Sequence, residues 1–460
     1  MDRPTTSRAL LAAVIALAAG TVPSAPGLAA GPAANTPRNI ILMIGDGCGF
    51  PHLQAGALWR DGADAFPELG ALPVQLAAAT FAEGGFYDGD AYWAQGPGGQ
   101  PATDSAAAIT ALTTGRRTRN GLLAVAADGT PLRTIVAAME RGGRATGLVT
   151  SVPFAHATPA GCAVNNEDRG RYLEISRDLL TRSPLEVLMG AGHPRFDRQG
   201  RPTDRLDYDR VGGQDTWDGL LAGTVGGDAD GDGWPDPWRL LEEPQDVRAL
   251  AAGATPPRVL VVARVRETLQ QQRAGDRQAG PFAEPPLAGV PTLAEMTRGA
   301  LNVLDDDPDG FFLMVEGGAI DWAGHDRQPG RLVEEVVGFV DALGVVLDWV
   351  AAHGGWERNL LVVTADHETG YAGGPEVAGV PAPDCLAALP VAGHGRGVMP
   401  GLRLNRGEHT NALVPLLAAG AGSGRLREAV AGVDPVRGPW VENVAIGALL
   451  QEIADVPAAP

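Results

Sequence analysis

The chain has 460 residues, 45% hydrophobic and 20% charged, ample for a large core, which excludes a miniprotein held together by disulfides or a structural metal. Its 36 basic residues are all arginine and face 55 acidic ones, for a formal net charge of −19. That balance, with no basic patch, argues against a role in binding nucleic-acid phosphates or anionic lipid.

The N-terminus reads as an address. Arg3 and Arg8 precede the apolar run Ala9–Gly20, and small residues follow through Leu28, Ala29 and Ala30. This is the layout of a secretory signal peptide covering residues 1–30, so a periplasmic or secreted protein is expected. The run is too short to span a bilayer, and no later segment is apolar enough, so no membrane anchor is expected. Three cysteines, Cys48, Cys162 and Cys385, leave at least one thiol unpaired within the chain and match no zinc-finger spacing.

Beyond the leader the chain alternates. Asn39–Ile44, Ala145–Thr150, Phe311–Val315 and Asn359–Thr364 are short continuous apolar runs, the mark of strands covered on both faces. Pro291–Leu304 and Arg331–Ala352 carry apolar residues at spacings of three and four, as helices do. The expected fold is α/β, a doubly wound, mostly parallel central sheet with helices on both faces. Gly- and Pro-rich stretches at 84–102, 211–237 and 372–401 read as loops. A single domain over 36–455 is expected, with insertions near 197–285 and 372–405.

Three of these strands run directly into chemistry. The first leads into Asp46, flanked by Gly45 and Gly47; the third into Glu316; the fourth into Asp366 and His367. In open α/β sheets, ligands bind at the carboxyl ends of strands. Asp321 and His325 are four apart, so on a helical turn they share a face, and a carboxylate with a histidine suits a divalent metal such as zinc. Thr103-Asp104-Ser105 followed by alanines reads as a helix start. A serine there sits where backbone N–H groups favour an anion, which makes it a candidate nucleophile toward phosphorus. Taken singly, each feature also has a plain structural reading as a turn residue, a helix pair or an N-cap.

The ordered set resembles the alkaline phosphatase family. The stretches that carry the likeness are ILMIGDGCG (41–49), TDSAAAITALTTG (103–115), HATPAG (156–161), EVLMGAGHPRF (186–196), FFLMVEGGAIDWAGH (311–325), LLVVTADHETG (360–370) and GEHTNALVPLLAAG (407–420). The resemblance implies hydrolysis of phosphate monoesters with Ser105 as a nucleophile that becomes phosphoserine. It implies one zinc site from Asp321, His325 and His409. A second would use Asp46, Asp366 and His367, with Ser105 as a further ligand. It also implies a magnesium site from Asp46, Thr158 and Glu316, an oxygen-only set suited to that hard cation. Two metals flanking the transferred group would stabilise its entering and leaving oxygens.

Phosphate also calls for a planar double donor, which arginine provides. In the family this arginine lies eleven residues beyond the Thr or Ser of the magnesium site, which gives Arg169; Arg171 competes for the role. Asp104, His156 and Trp322 fall at positions that adjust the site. The resemblance leaves open whether this chain forms the homodimer seen in many relatives. The rivals are a phosphodiesterase or sulfatase on the same scaffold and a non-catalytic phosphate- or metal-binding protein. Finally, Asp228, Asp230, Asp232 and Asp236, with Gly233 at the sharp turn, match the start of an EF-hand-like loop and are expected calcium ligands, although position 12 is Arg239 instead of a glutamate.

Overall fold

The computed structural model describes residues 36–98, 101–229, 233–376 and 384–456. The expected leader, residues 1–30, lies outside them, as do Asp230 and Asp232 of the expected calcium loop. In the described part of that loop, Asp236 accepts from the Ala229 backbone N–H at 2.8 Å and Asp228 from that of Gly233 at 3.1 Å.

Among the described residues fifteen strands form: β1 (Asn39–Ile44), β2 (Val74–Ala79), β3 (Ala145–Pro153), β4 (Val187–Ala191), β5 (Arg239–Leu241), β6 (Val259–Val262), β7 (Phe311–Glu316), β8 (Asn359–Thr364), β9 (Glu368–Thr369), β10 (Ala372–Gly373), β11 (Arg403–Leu404), β12 (His409–Thr410), β13 (Val414–Gly420), β14 (Val430–Asp434) and β15 (Gly438–Glu442). Eleven of them make one sheet in the order β14-β15-β2-β13-β8-β1-β7-β3-β4-β6-β5. The seven strands from β8 to β5 are parallel, while β13 runs antiparallel to both β8 and β2. All residues of β1, β3, β7 and β8 are buried, as continuous apolar runs require.

The helices form two sets. Phe50–Arg60, Leu293–Leu304, Ala319–His325 and Pro329–Ala352 pack together; so do Ser105–Thr114, Ile135–Arg141, Ala157–Ala163 and Val444–Ala454. Both sets touch β3 and β7 without substantial contact with each other, which puts them on opposite faces of the sheet. This is the expected doubly wound arrangement.

The helix over 293–304 starts two residues later than the periodicity suggests, because Thr292 caps it. Its hydroxyl accepts from Glu295 N, and Glu295 accepts from Thr292 N. The helix over 329–352 starts two residues earlier than expected, with Pro329 in its first turn, where a missing N–H costs nothing.

Two stretches read as loops contain order of their own, Gly89–Gln95 capped by Asp88 and Gln214–Ala222. The stretch 197–285, expected as an insertion, supplies β5 and β6 to the end of the main sheet. The β5 run is only three residues, too short to stand out in a sequence. The three cysteines are buried and free. Among the described residues no helix is long and apolar enough to cross a membrane.

Candidate active site

The sheet register sets the site. Ile44 of β1 pairs with Glu316 of β7 on one side and Thr364 of β8 on the other, and Thr150 of β3 pairs with Glu316. β1, β7 and β8 therefore end on one row, which β3 crosses at Thr150 before running on to Pro153. Asp46 and Asp366 each lie two residues past that row, so both emerge from the same edge. Gly47 makes the tight turn after Asp46 at φ +70°, and a Cβ there would lie 2.7 Å from Thr369 Oγ1 and 2.9 Å from Asp321 Cα. Only glycine meets both demands.

Asp46, Asp366 and His367 are fully buried and present ligand atoms within 4.8 Å of one another; Asp321, His367 and the partly exposed His409 also present theirs within 4.8 Å. His367 Nε2 is 3.2 Å from Asp366 and 3.5 Å from Asp46. His325 Nε2 is 3.2 Å from Asp321 and 3.1 Å from His409 Nε2, and His409 Nε2 is 3.5 Å from Asp321. Tetrahedral ligands about 2.0–2.1 Å from zinc stand roughly 3.3 Å apart. The five separations match that spacing.

The orientation of the imidazoles agrees. Nδ1 of His409 faces the Thr103 carbonyl at 2.9 Å, Nδ1 of His325 faces the Gly407 carbonyl at 2.6 Å, and Nδ1 of His367 faces Thr369 Oγ1 at 3.3 Å. With Nδ1–H donated to oxygen, each ring points Nε2 inward, and loss of the Nε2 proton leaves the tautomer a metal needs. β12 sets His409 in place by pairing with β9, where His409 lies opposite Thr369.

Charge and burial are in conflict here. Burial pushes the Asp46 carboxyl well above its usual range, and the charges of Asp366, Asp321 and Glu316 push it further. Burial also raises Asp366 and Glu316. Burial works against ionising Asp321 too, yet hydrogen bonds from His325 and His409 hold it well below the usual carboxylate range. Burial, then the charge of His409, drives His367 down. Both Asp46 oxygens, Asp366 Oδ2, Glu316 Oε1 and Thr158 Oγ1 are buried without a hydrogen-bond partner among the described residues. Orphaned buried acceptors are costly, and divalent cations are the group that satisfies them. The donor sets fit: nitrogen and carboxylate around the histidines, oxygen alone around Glu316 and Thr158. Thr150 Oγ1 donates to the other Glu316 oxygen and fixes the carboxylate plane.

Ser105 opens the helix Ser105–Thr114, with Asp104 as its cap accepting from Ala107 N at 2.9 Å. Its Oγ lies 3.3 Å from His367 Nε2. Arg169 reaches the same place, held by its NH1 donating to Asp104 at 3.1 Å. Arg171, the competing arginine, is half exposed, pairs with Asp168 and Glu174, and does not line the cavity. The cavity, of about 500 Å³, is lined by Ser105, His156, Arg169, Asp321, Trp322, His325 and His409. His156 sits between Trp322 and Tyr172, ring centroids 5.6 and 6.3 Å away. Burial and then the Arg169 charge lower it to about 3, so it is neutral.

Gln272 and Asp326 also line the cavity and were not apparent in the sequence. Asp326 directly follows His325, a signal that was there to be read. Gln272 comes from the stretch taken as an insertion and carries no local signal. Thr369, two residues after His367, holds Asp321 through its hydroxyl.

The family model for alkaline phosphatase matches residues 37–388. Alkaline phosphatase 3 of Bacillus subtilis is 28% identical over 341 residues, 72% of this chain and 61% of that one. Streptomycin-6-phosphate phosphatase of Streptomyces griseus is 32% identical over 464 aligned residues, 91% of this chain and 92% of that one. The alkaline phosphatase of the Antarctic bacterium TAB5 shares the fold, with a TM-score of 0.63 at 22% identity over 92% of this chain and 99% of that one. With its site geometry and the match over most of its length, the chain belongs to the alkaline phosphatase family.

Proposed function

We propose that the protein hydrolyses phosphate monoesters through a phosphoserine at Ser105. The observation that carries this reading is the joint placement of Ser105 Oγ against His367 Nε2, Arg169 and the two histidine–carboxylate clusters. Asp321, His325 and His409 would hold one zinc and Asp46, Asp366 and His367 the other. Asp46, Thr158 and Glu316 would hold magnesium. Bound there, these cations would neutralise charge on the entering and leaving oxygens and lower the pKa of the serine hydroxyl.

The chain's own residues do the rest. The start of the Ser105 helix presents backbone N–H groups and positive dipole to the phosphoryl oxygens. Arg169 supplies a planar pair of donors, and Asp104 fixes its direction. Ser105 Oγ loses its proton and attacks phosphorus in line while the ester P–O bond breaks and the alcohol departs from the opposite side with a proton. Water then attacks the phosphoserine, the Oγ–P bond breaks, and inorganic phosphate leaves as Oγ takes a proton back. Arg169 favours a terminal phosphate, whose free oxygens it can pair, over a diester. The expected leader would carry the enzyme out of the cytoplasm.

A narrower reading concerns the alcohol. The Streptomyces griseus relative, matched over 92% of its length, is a streptomycin-6-phosphate phosphatase. The cavity lining adds the amide Gln272 and Asp326 to the Trp322 ring; Asp326 Oδ2 is taken by Gln271, Gln272 and Arg277, which leaves its Oδ1 as the acceptor. Those groups favour leaving groups rich in N–H and O–H donors. A higher kcat/KM for streptomycin 6-phosphate than for glycerol phosphate is expected; equal values remove the narrower reading alone.

The main test compares an aryl phosphate monoester with its diester, in the wild type and in Ser105→Ala, after chelation and zinc restoration. Monoester turnover dependent on metal and lost by at least about 10³-fold in Ser105→Ala is expected. Unchanged turnover in the variant overturns the phosphoserine route. Faster diester turnover overturns the monoesterase assignment.

A further inference from the structure

A second cavity, about 260 Å³, shares no lining residue with the catalytic one. It lies between the long helix Pro329–Ala352 and the segment around 269–294, with Ser151 and Gly317 at its inner end. Leu269, Leu293 and Phe339 give it an apolar wall. Its size exceeds the roughly 150 Å³ that holds a benzene molecule in a protein interior.

The wall also carries Arg273, Glu334, Glu335 and Asp341, and Glu335 is the one with an orphaned oxygen. Glu335 Oε1 is shut off from solvent and has no hydrogen-bond partner among the described residues, although the Gln271 backbone N–H is near enough to the carboxyl to favour its charged form. Its neighbours are already committed. Arg273 donates to Glu334 at 2.7 Å and to the carbonyls of Glu284, Pro285 and Gln270. Glu334 also accepts from the Phe282 backbone N–H at 2.7 Å. No cation in the wall is left for Glu335. A buried acceptor with no donor costs more than a paired one, and a donor from outside the chain would relieve that cost.

The helix itself leaves room for that partner. Glu335, Gly338 and Phe339 lie at i, i+3 and i+4, on one face. A Cβ at Gly338 would meet nothing within 4 Å. A glycine inside a helix costs about 0.5–1 kcal/mol relative to alanine, and here no crowding requires it. Its absent side chain is what keeps the cavity open beside the carboxylate.

We propose that this cavity binds a small organic cation with an apolar body, a primary alkyl- or arylammonium of about six to eight carbons, with its ammonium donating to Glu335 and its chain against Leu269, Leu293 and Phe339. The site is separate from the catalytic pocket and independent of the reaction assigned to it. Burial, then the charge of Glu334, pushes the Glu335 carboxyl up to about 8, with Arg273 opposing. An incoming ammonium reverses that shift by supplying the charge the carboxylate lacks.

The test is calorimetric titration of the metal-loaded protein at about pH 9, where the alkylammonium is still charged, with saturating inorganic phosphate to occupy the catalytic pocket. The probes are hexylammonium, hexanol and hexanoate. Hexylammonium binding one per chain, about tenfold or more tighter than hexanol, with no hexanoate binding, is expected. Glu335→Gln should lower hexylammonium affinity by about tenfold and leave hexanol unchanged. Gly338→Leu should abolish binding of both while the melting temperature holds or rises, since leucine suits a helix and fills the space. No hexylammonium binding, equal affinity for hexanol, or binding that survives in a folded Gly338→Leu overturns the proposal.

Discussion

Arg169 and Asp104 are joined by a hydrogen bond of 3.1 Å from guanidinium to carboxylate, and the same carboxylate caps the helix that begins at Ser105. One side chain thus fixes both the helix of the proposed nucleophile and the arginine proposed to bind phosphate, and it also accepts from Gly121 N at 3.0 Å. The two roles separate by substitution. Asp104→Asn keeps a capping oxygen and loses the charge, so inhibition by inorganic phosphate should weaken about tenfold with little change in melting temperature. Asp104→Ala should weaken phosphate equally and also cost about 1 kcal/mol in stability. Phosphate inhibition constants unchanged in both variants would show that Arg169 needs no such support.

The Ser105 helix is seated by a glycine contact. A Cβ at Gly447, on the helix Val444–Ala454, would come within 2.3 Å of both Ala111 O and Gly115 N. Gly115 is the left-handed residue, φ +70°, that ends the Ser105 helix. Gly447→Ala should therefore push the helix outward, costing about 1–3 kcal/mol and lowering kcat together with stability. Thermal unfolding and steady-state kinetics of the one variant check both. Full stability in Gly447→Ala would mean the two helices can part without strain.

Metal removal should do more than stop turnover. Without cations, Asp46, Asp366 and Glu316 face one another in a buried space with orphaned oxygens. In a chain of net charge −19, an anion has no reason to enter that space. Chelation should lower inorganic phosphate affinity roughly a hundredfold or more and lower the melting temperature, and zinc should restore both. Calorimetry of phosphate binding before and after chelation is the check. The magnesium assignment fails separately if zinc alone gives full activity and added magnesium changes nothing.

Far from the catalytic edge, Thr146 bridges two carboxyls. Its N–H donates to Glu186 at 2.7 Å and its hydroxyl donates to Glu140. Burial, then the charge of Glu186, pushes Glu140 up to about 9; burial raises Glu186 to about 7, with Arg258 opposing and Asp307 adding in both. The folded state thus holds protons that the unfolded chain releases above about pH 4.3. Stability contributed by these groups is complete near pH 4 and is lost as pH rises through the raised values. The melting temperature should fall between about pH 5 and pH 9. Glu140→Gln, which keeps the hydrogen bond without the titration, should flatten that slope; an unchanged slope would remove the explanation.

Much of the fold and site was present in the one-dimensional pattern. The runs at 39–44 and 359–364 coincide with β1 and β8 because strands buried on both faces need unbroken apolar residues. Asp46, Glu316 and Asp366 could be assigned to one edge because parallel strands deliver their carboxyl ends together. Asp104 was legible as a cap, since only a short polar side chain can accept from the third residue of a helix.

Other features have no local signal. The three-residue β5 joins the sheet only because β6 is there to pair with it. His409 becomes a partner of Asp321 through the pairing of two-residue strands forty residues apart, and Gln272 enters the cavity from a stretch that read as an insertion. Gly447 and Gly338 look alike in the sequence, yet a side chain would collide at one and meet open space at the other. By itself the sequence determined which residues are buried, where strands end and which carboxylates follow them, because periodicity and capping act over a few neighbours. The tertiary structure alone decided which distant groups meet and where space is left, because those depend on the packing of elements far apart in the chain.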